Sequence, residues 1–174
     1  MARQPNIYGG GAQTNANGLK FERQTDLLTM IDRIGPEYTI ERHIIKKNGI
    51  EIARHFKGHS LYRDLLIPRG INYKEILSKK LLPDEALLVN NTLYLIEKKY
   101  QNVSGSVDEK LQTCDFKKKQ YTRLLKPLDI SVEYYYLLND WFDQPQYKDV
   151  FDYIQSVGCK YFIGELPLSE IGLD

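Results

Sequence analysis

Cysteine is scarce in this sequence. The 174 residues hold two, Cys114 and Cys159, and neither belongs to a CxxC pair. The three histidines lie far from both along the chain, so a zinc site or a disulfide framework is not expected. Two free thiols suit a reducing cytoplasm. Long apolar runs are missing too, since none approaches the roughly 20 residues that cross a bilayer. The opening MARQPNIYGGGAQTNANG has no apolar centre of the kind a signal peptide carries. These absences predict a soluble cytoplasmic protein with no membrane contact. Charge of one sign is not in excess either: 24 basic residues stand against 23 acidic ones, a net charge of +1. That excludes a globally basic, histone-like binder, but it leaves open a local cluster of basic groups on one face. Gly9-Gly10-Gly11 is not part of a GxxxxGK[ST] pattern, so it is no phosphate-binding loop.

What is present suffices for one compact domain. Hydrophobic residues make up 42% and charged residues 27%, as in an ordinary globular protein. Thirteen tyrosines are many for this length; each buries a ring while keeping a hydroxyl for a polar partner. Residues 1–17 are polar and aperiodic and read as a flexible amino-terminal arm, and 18–174 read as a single domain. Apolar spacing predicts a helix over 18–34, stopped by Gly35-Pro36. Two β-prone runs flank Asn48-Gly49, a hairpin signal. A shorter helix is expected within 60–80, around INYKEILSKK. A second hairpin follows, with strands near 85–89 and 92–101 about Asn90-Asn91. Then come a helix over 106–126, a strand over 131–138, a helix near 146–157 and a strand at 159–164. This order predicts an α/β (α+β) fold with a mixed central β-sheet flanked by helices.

The segment TLYLIEKKYQ concentrates the chemistry. With side chains alternating between faces, Leu93, Leu95, Glu97, Lys99 and Gln101 share one face, and Tyr94, Ile96, Lys98 and Tyr100 the other. Glu97 and Lys99 then project together, their Cα atoms roughly 6.6 Å apart. An apolar face thus turns abruptly into an acid, a base and an amide, which at the edge of a core need a partner or a metal. A turn centred on Asn90-Asn91 brings Asp84 opposite Glu97. Two carboxylates can hold Mg²⁺, a hard cation that retains several waters. Such a metal acidifies bound water and offsets phosphate charge, and Lys99 can orient or deprotonate that water. A lysine beside a metal is expected to have a lowered pKa. The bland alternative makes Pro83-Asp84 a plain turn and Glu97 and Lys99 a solvated pair.

Pro83-Asp84, twelve residues, then Glu97-Lys98-Lys99 resembles the PD-(D/E)XK signature of type II restriction endonucleases and related nucleases. The likeness covers roughly residues 18–138. It implies a restriction-endonuclease-like αβββαβ core and a Mg²⁺-dependent enzyme, with Mn²⁺ as a substitute, that cuts double-stranded DNA at a short specific sequence. It also implies a homodimer functionally paired with a cognate DNA methyltransferase. Helix 1 of the family often adds an acidic residue near the metals, a place Glu22 could take; an acid in a first helical turn also suits the helix dipole. Gln101 could touch a phosphate or a water, or simply close the strand. A repair or junction-resolving nuclease on the same fold is the competing enzyme. A non-catalytic nucleic-acid-binding module is the competing class.

The region after the motif offers DNA contacts. Ser106 and Glu109 have capping-box spacing, and the Ser104–Ser106 loop leads into a helix start able to receive a phosphate oxygen. Lys110, Lys117, Lys118, Lys119, Arg123 and Lys126 stand against Asp115 alone. They make a basic stripe suited to backbone contacts or an ordinary solvated face. His43, His55 and His59 read as surface or loop residues, and Trp141 as an anchor of a loop to the core.

Overall fold

A computed structural model describes residues 10–103, 105 and 107–173. Ser104, Ser106 and the first nine residues of the expected arm therefore lie outside the described residues. The first helix begins at Gly10, well before position 18, so residues 10–17 are helical. The single helix expected over 18–34 is two: α1 (Gly10–Gln24) and α2 (Leu27–Asp32). The break is local chemistry. Asp26 leaves helical geometry at φ −64°, ψ 122°, and its carboxylate accepts the Thr29 N–H at 3.0 Å. Asp competes with helical backbone bonds in this way and starts a new helix in preference to continuing the old one.

Strands β1 (Tyr38–Glu41), β2 (Ile44–Lys47) and β3 (Ile50–Phe56) form a meander. Asn48 and Gly49, at φ 52° and 79°, make the expected turn; the run before them is itself folded in two at Arg42, which sits at φ 59°. The expected INYKEILSKK helix does not form. The helical stretch lies earlier, a π-helical turn at Leu61–Leu66, and only Tyr73–Glu75 of the later segment makes a 3-10 turn. The earlier segment has the deeper burial: Leu61, Tyr62, Leu65 and Leu66 are all core residues, whereas within INYKEILSKK only Leu77 is fully buried, with Ile71, Tyr73 and Ile76 packed partly against the core.

Strands β4 (Glu85–Val89) and β5 (Thr92–Lys99) close the second hairpin. Then follow α3 (Val107–Leu111) and α4 (Cys114–Leu125), where one long helix was expected, and β6 (Ser131–Leu138), α5 (Lys148–Ser156) and β7 (Lys160–Ile163). The seven strands pair in chain order. Pairing is antiparallel from β1 to β5 and parallel from β5 to β7, so the sheet is mixed. The parallel pairs are joined through helices, as the geometry of such crossovers requires.

Both faces of the sheet are covered. Leu93, Leu95, Tyr134 and Tyr136 pack with Leu61, Leu65, Tyr121, Leu124 and Ile154 on one side. Ile96, Leu87, Tyr135 and Leu137 pack with Phe21, Leu27, Ile31 and Ile171 on the other. Cys114 and Cys159 are buried and free. Trp141 does tie its loop down, by donating to the Tyr147 hydroxyl at 3.0 Å. Among the described residues no helix is long and apolar enough to cross a membrane.

Candidate active site

The β4–β5 register pairs Glu85 with Ile96 and Val89 with Thr92. Extending it by one residue sets Asp84 opposite Glu97. The Lys98 backbone N–H donates to Asp84 Oδ2 at 2.8 Å and pins that carboxylate to the end of β5. Period-two alternation then decides the rest. Glu97 and Lys99 leave β5 on the face of Leu93 and Leu95, and Lys99 Nζ lies 2.9 Å from Glu97 Oε2 and 3.6 Å from Asp84 Oδ2. The three residues singled out from the sequence are therefore in contact.

A fourth group joins them. Lys117 Nζ stands 3.1 Å from Glu97 Oε2, so this lysine belongs to the cluster and not to an outer stripe. Helical spacing carries the signal: Lys117 lies three residues after Cys114 and four before Tyr121, both buried on the inner side of α4. Three other members of the stripe also have partners. Lys118 is held by Glu133 at 3.2 Å and by the Gly158 carbonyl at 2.7 Å, Lys119 pairs with Asp115 at 2.7 Å, and Arg123 donates to the Ile76 carbonyl at 3.0 Å.

Glu22 and Gln101 flank the cluster without touching its carboxylates, and Gln101 closes the end of its strand. Glu22 is exposed on α1 and lines a hollow with Lys99 and Tyr100; it is its backbone carbonyl that accepts from Lys98 Nζ, at 3.3 Å. Gln101 is buried, and its backbone exchanges two 2.9 Å hydrogen bonds with the Asn139 side chain, clamping the ends of β5 and β6. Its amide nitrogen donates to Asp108 at 3.2 Å, while its Oε1 has no hydrogen-bond partner. Buried oxygens are normally satisfied, so this one marks a place for a donor.

The electrostatics are those of two carboxylates sharing two lysines. Burial pushes Glu97 upward, but Lys99 and Lys117 outweigh it and hold Glu97 below its ordinary value. Asp84 goes the other way: burial and the Glu97 charge lift it, although 44% of its side chain is exposed. Burial works to lower Lys99, and Glu97 and Asp84 more than reverse that, so it stays firmly protonated. The lowered lysine pKa expected beside a metal is thus not a property of the metal-free cluster, where the carboxylates dominate. Behind the cluster, burial and then the Glu97 charge press the Tyr134 phenol far upward, and its hydroxyl has no partner.

Among the described residues no group of three or more His, Cys, Asp or Glu side chains is arranged so that it could hold a metal ion. That suits neither zinc nor an all-protein calcium cage. Two carboxylates, one destabilised by the other, suit Mg²⁺, which binds through one or two carboxylates and keeps its waters.

The opposite face of the hairpin holds a second charged group that sequence reasoning missed. Glu85 is fully buried; its Oε2 accepts from Lys98 Nζ and from the Leu27 N–H, each at 3.2 Å. Its Oε1 lies 3.7 Å from Nε2 of His55, which is buried on β3 and is not a loop residue. The Glu85-Lys98 pair fastens α1 and α2 to the back of the hairpin. His43, by contrast, is half-buried against Phe56, and His59 is exposed. No family model and no curated protein matches this chain.

Proposed function

We propose that this protein is a Mg²⁺-dependent endonuclease that hydrolyses phosphodiester bonds in double-stranded DNA at a short specific sequence, in the manner of a PD-(D/E)XK type II restriction enzyme. The observation that carries the reading is the contact of Lys99 with both Glu97 and Asp84 at the paired ends of one hairpin. Mn²⁺ is expected to replace Mg²⁺. The resemblance to the αβββαβ core is supported by a helix, an antiparallel meander, then helix and parallel strand in that order.

In this reading Asp84 and Glu97 hold the cation, which when bound acidifies water and offsets phosphate charge. Their own charges are balanced by Lys99 and Lys117, so the metal-free cluster sums to zero. Lys99, kept protonated by its neighbours, donates to the attacking water or to a phosphate oxygen and stabilises charge that grows in the transition state. Lys117 turns Glu97 toward the same point. Gln101, with Oε1 unpartnered, accepts from a water at the rim. The walls of Leu93, Leu95 and Tyr134 keep the local dielectric low, which strengthens every one of these contacts. Two antiparallel strands need two sites, so the enzyme acts as a homodimer. It works in the cytoplasm beside a methyltransferase that protects the host's own sites.

Plasmid DNA digested with Mg²⁺, with Mn²⁺ and with EDTA tests the reading. Discrete fragments in both metals and none in EDTA are expected. Asp84→Asn and Glu97→Gln should each abolish cleavage while gel-shift binding survives. Undiminished cleavage in either variant would falsify the assignment, and cleavage confined to branched DNA would replace restriction with junction resolution.

A further inference from the structure

In α4, Lys117 faces Glu97 and Lys118 faces Glu133 and the Gly158 carbonyl, so further cations are needed to grip a DNA backbone. The topology places several residues at the same end of the sheet as the catalytic cluster. Strands β1, β3 and β5 run in one direction, so their carboxyl ends lie side by side. After β3 come Lys57 and Gly58, and the Gly58 N–H donates to the Pro83 carbonyl at 2.9 Å, immediately before Asp84. After β1 comes Arg42-His43, and the His43 carbonyl accepts the His55 N–H at 2.7 Å. Lys99, Asp84, Lys57 and Arg42 thus form one row across the sheet end.

Three hollows connect along this row. The first, about 450 Å³, contains Lys99 and shares Leu19 and Glu22 with the second. The second, about 310 Å³, shares Lys57 with the third. The third, about 510 Å³, is lined by Arg42, His43, Arg63 and the buried His55, whose Nε2 lies 3.7 Å from the Glu85 carboxylate. The acids along the path are mostly occupied. Asp26 caps α2 and Asp64 is held by two of the three guanidinium nitrogens of Arg63, at 2.6 and 2.7 Å. Among the described residues Arg42, Lys57 and Arg23 make no ion pair, and the acids lining the hollow with Arg23 and Lys57 are Glu22 and the capping Asp26.

We propose that this sheet end is a track for the phosphodiester backbone of double-stranded DNA, entering or leaving the catalytic cluster past Lys57 and reaching Arg42. The proposal rests on the endonuclease reading and names the surface on which its substrate lies. Exposed unpaired cations at the rim of a cleft suit phosphates, because the gain comes from released counterions and not from matched base edges. The planar guanidinium of Arg42 can meet two phosphate oxygens at once, so less side-chain freedom is lost per hydrogen bond formed.

The test is fluorescence anisotropy of a labelled random-sequence duplex in EDTA, titrated at several salt concentrations. Arg42→Gln/Lys57→Gln is compared with Lys47→Gln/Lys160→Gln, which removes the same charge from the opposite end of the sheet. The first pair should lose about tenfold in affinity, and the slope of log Kd against log salt should fall by about 1.8. The control should keep both. Arg42→Lys/Lys57→Arg, which keeps the charge, should bind like the parent protein. Unchanged affinity and slope in the first variant, with the parent still binding duplex and cleaving plasmid, overturns the track and leaves the endonuclease standing. Equal losses in the control overturn it in favour of general charge. A parent protein that binds no duplex overturns both readings.

Discussion

Lys98 and Lys99 are adjacent, carry the same charge and differ only in the face of β5 from which they project, so replacing each by Ala separates chemistry from architecture. Lys99 touches Glu97 and Asp84 in the cluster. When it is removed, Glu97 keeps Lys117 at 3.1 Å and Asp84 keeps the Lys98 N–H at 2.8 Å. The fold should therefore survive Lys99→Ala. The rate should not: losing one positioned stabilising donor in a water-poor site costs about 10²–10³, or about 2.7–4 kcal/mol of transition-state stabilisation. Lys98 presents the reverse case. Its side chain is 3% exposed and neutralises Glu85, which is fully buried. Lys98→Ala leaves that carboxylate with the Leu27 N–H and the more distant His55. Breaking a buried pair from one side costs about 3–5 kcal/mol. At roughly 2–4 °C per kcal/mol for a domain of this size, the melting midpoint should fall by about 6–20 °C. Removing both charges with Glu85→Gln/Lys98→Met should recover most of that loss, because no unpaired ion remains. The assays are thermal melting by circular dichroism and single-turnover cleavage at saturating Mg²⁺, run well below every midpoint. Lys99→Ala should lose rate with its midpoint nearly intact, and Lys98→Ala should lose midpoint while its folded fraction cleaves within about tenfold of the parent. Equal rate losses would refute the convergence of Asp84, Glu97 and Lys99.

The remaining expectations use the same cluster. Lys117→Ala should slow cleavage by about 10-fold or more through Glu97, whereas Lys119→Ala, paired only with Asp115 on the outer side of α4, should change neither rate nor duplex affinity; a matched loss at the two positions restores the stripe. In EDTA the two carboxylates should affect stability with opposite sign. Glu97 has a lowered folded pKa, so it contributes stability above its unfolded value of about 4.3, and that contribution is lost as pH falls through the folded pKa. Asp84 has a raised folded pKa, so its ionisation costs stability as pH rises from about 3.9 through the folded value and beyond. Urea titrations should therefore show Glu97→Gln weaker than the parent near neutrality and Asp84→Asn stronger, both differences shrinking in acid; two losses at neutrality contradict the repulsion described between the acids. Saturating Mg²⁺ should raise the parent's melting midpoint, with about 2.7 kcal/mol gained at 100 times Kd, and should leave Asp84→Asn/Glu97→Gln unmoved; an equal rise in both places the metal elsewhere.

Local order was the part that the sequence decided unaided. The Asn90-Asn91 turn and period-two alternation are short-range facts, and they were enough to put Asp84, Glu97 and Lys99 at one point, because a hairpin fixes its own register. The mixed sheet followed from the order of helical and β-prone segments, and the split of Leu93 and Leu95 from Tyr94 and Ile96 followed from the alternation alone. What the sequence could not decide was partnership across elements. Whether Lys117 faces solvent or Glu97 depends on how α4 lies on β6, and whether Lys118 is free depends on Glu133 and Gly158. A run of three lysines looks alike at every position until a sheet stands behind it. Glu85 looked like a strand residue at a hairpin's edge, yet it is fully buried because α2 and Lys98 arrive from 58 residues before and 13 after. The failure of the INYKEILSKK helix is tertiary too, since helix propensity is worth tenths of a kcal/mol per residue and burial of a few leucines outweighs it, whereas the break at Asp26 is set locally by its cap on α2. Side-chain partnerships are thus tertiary quantities here, while the hairpin that joins Asp84, Glu97 and Lys99 is a local one.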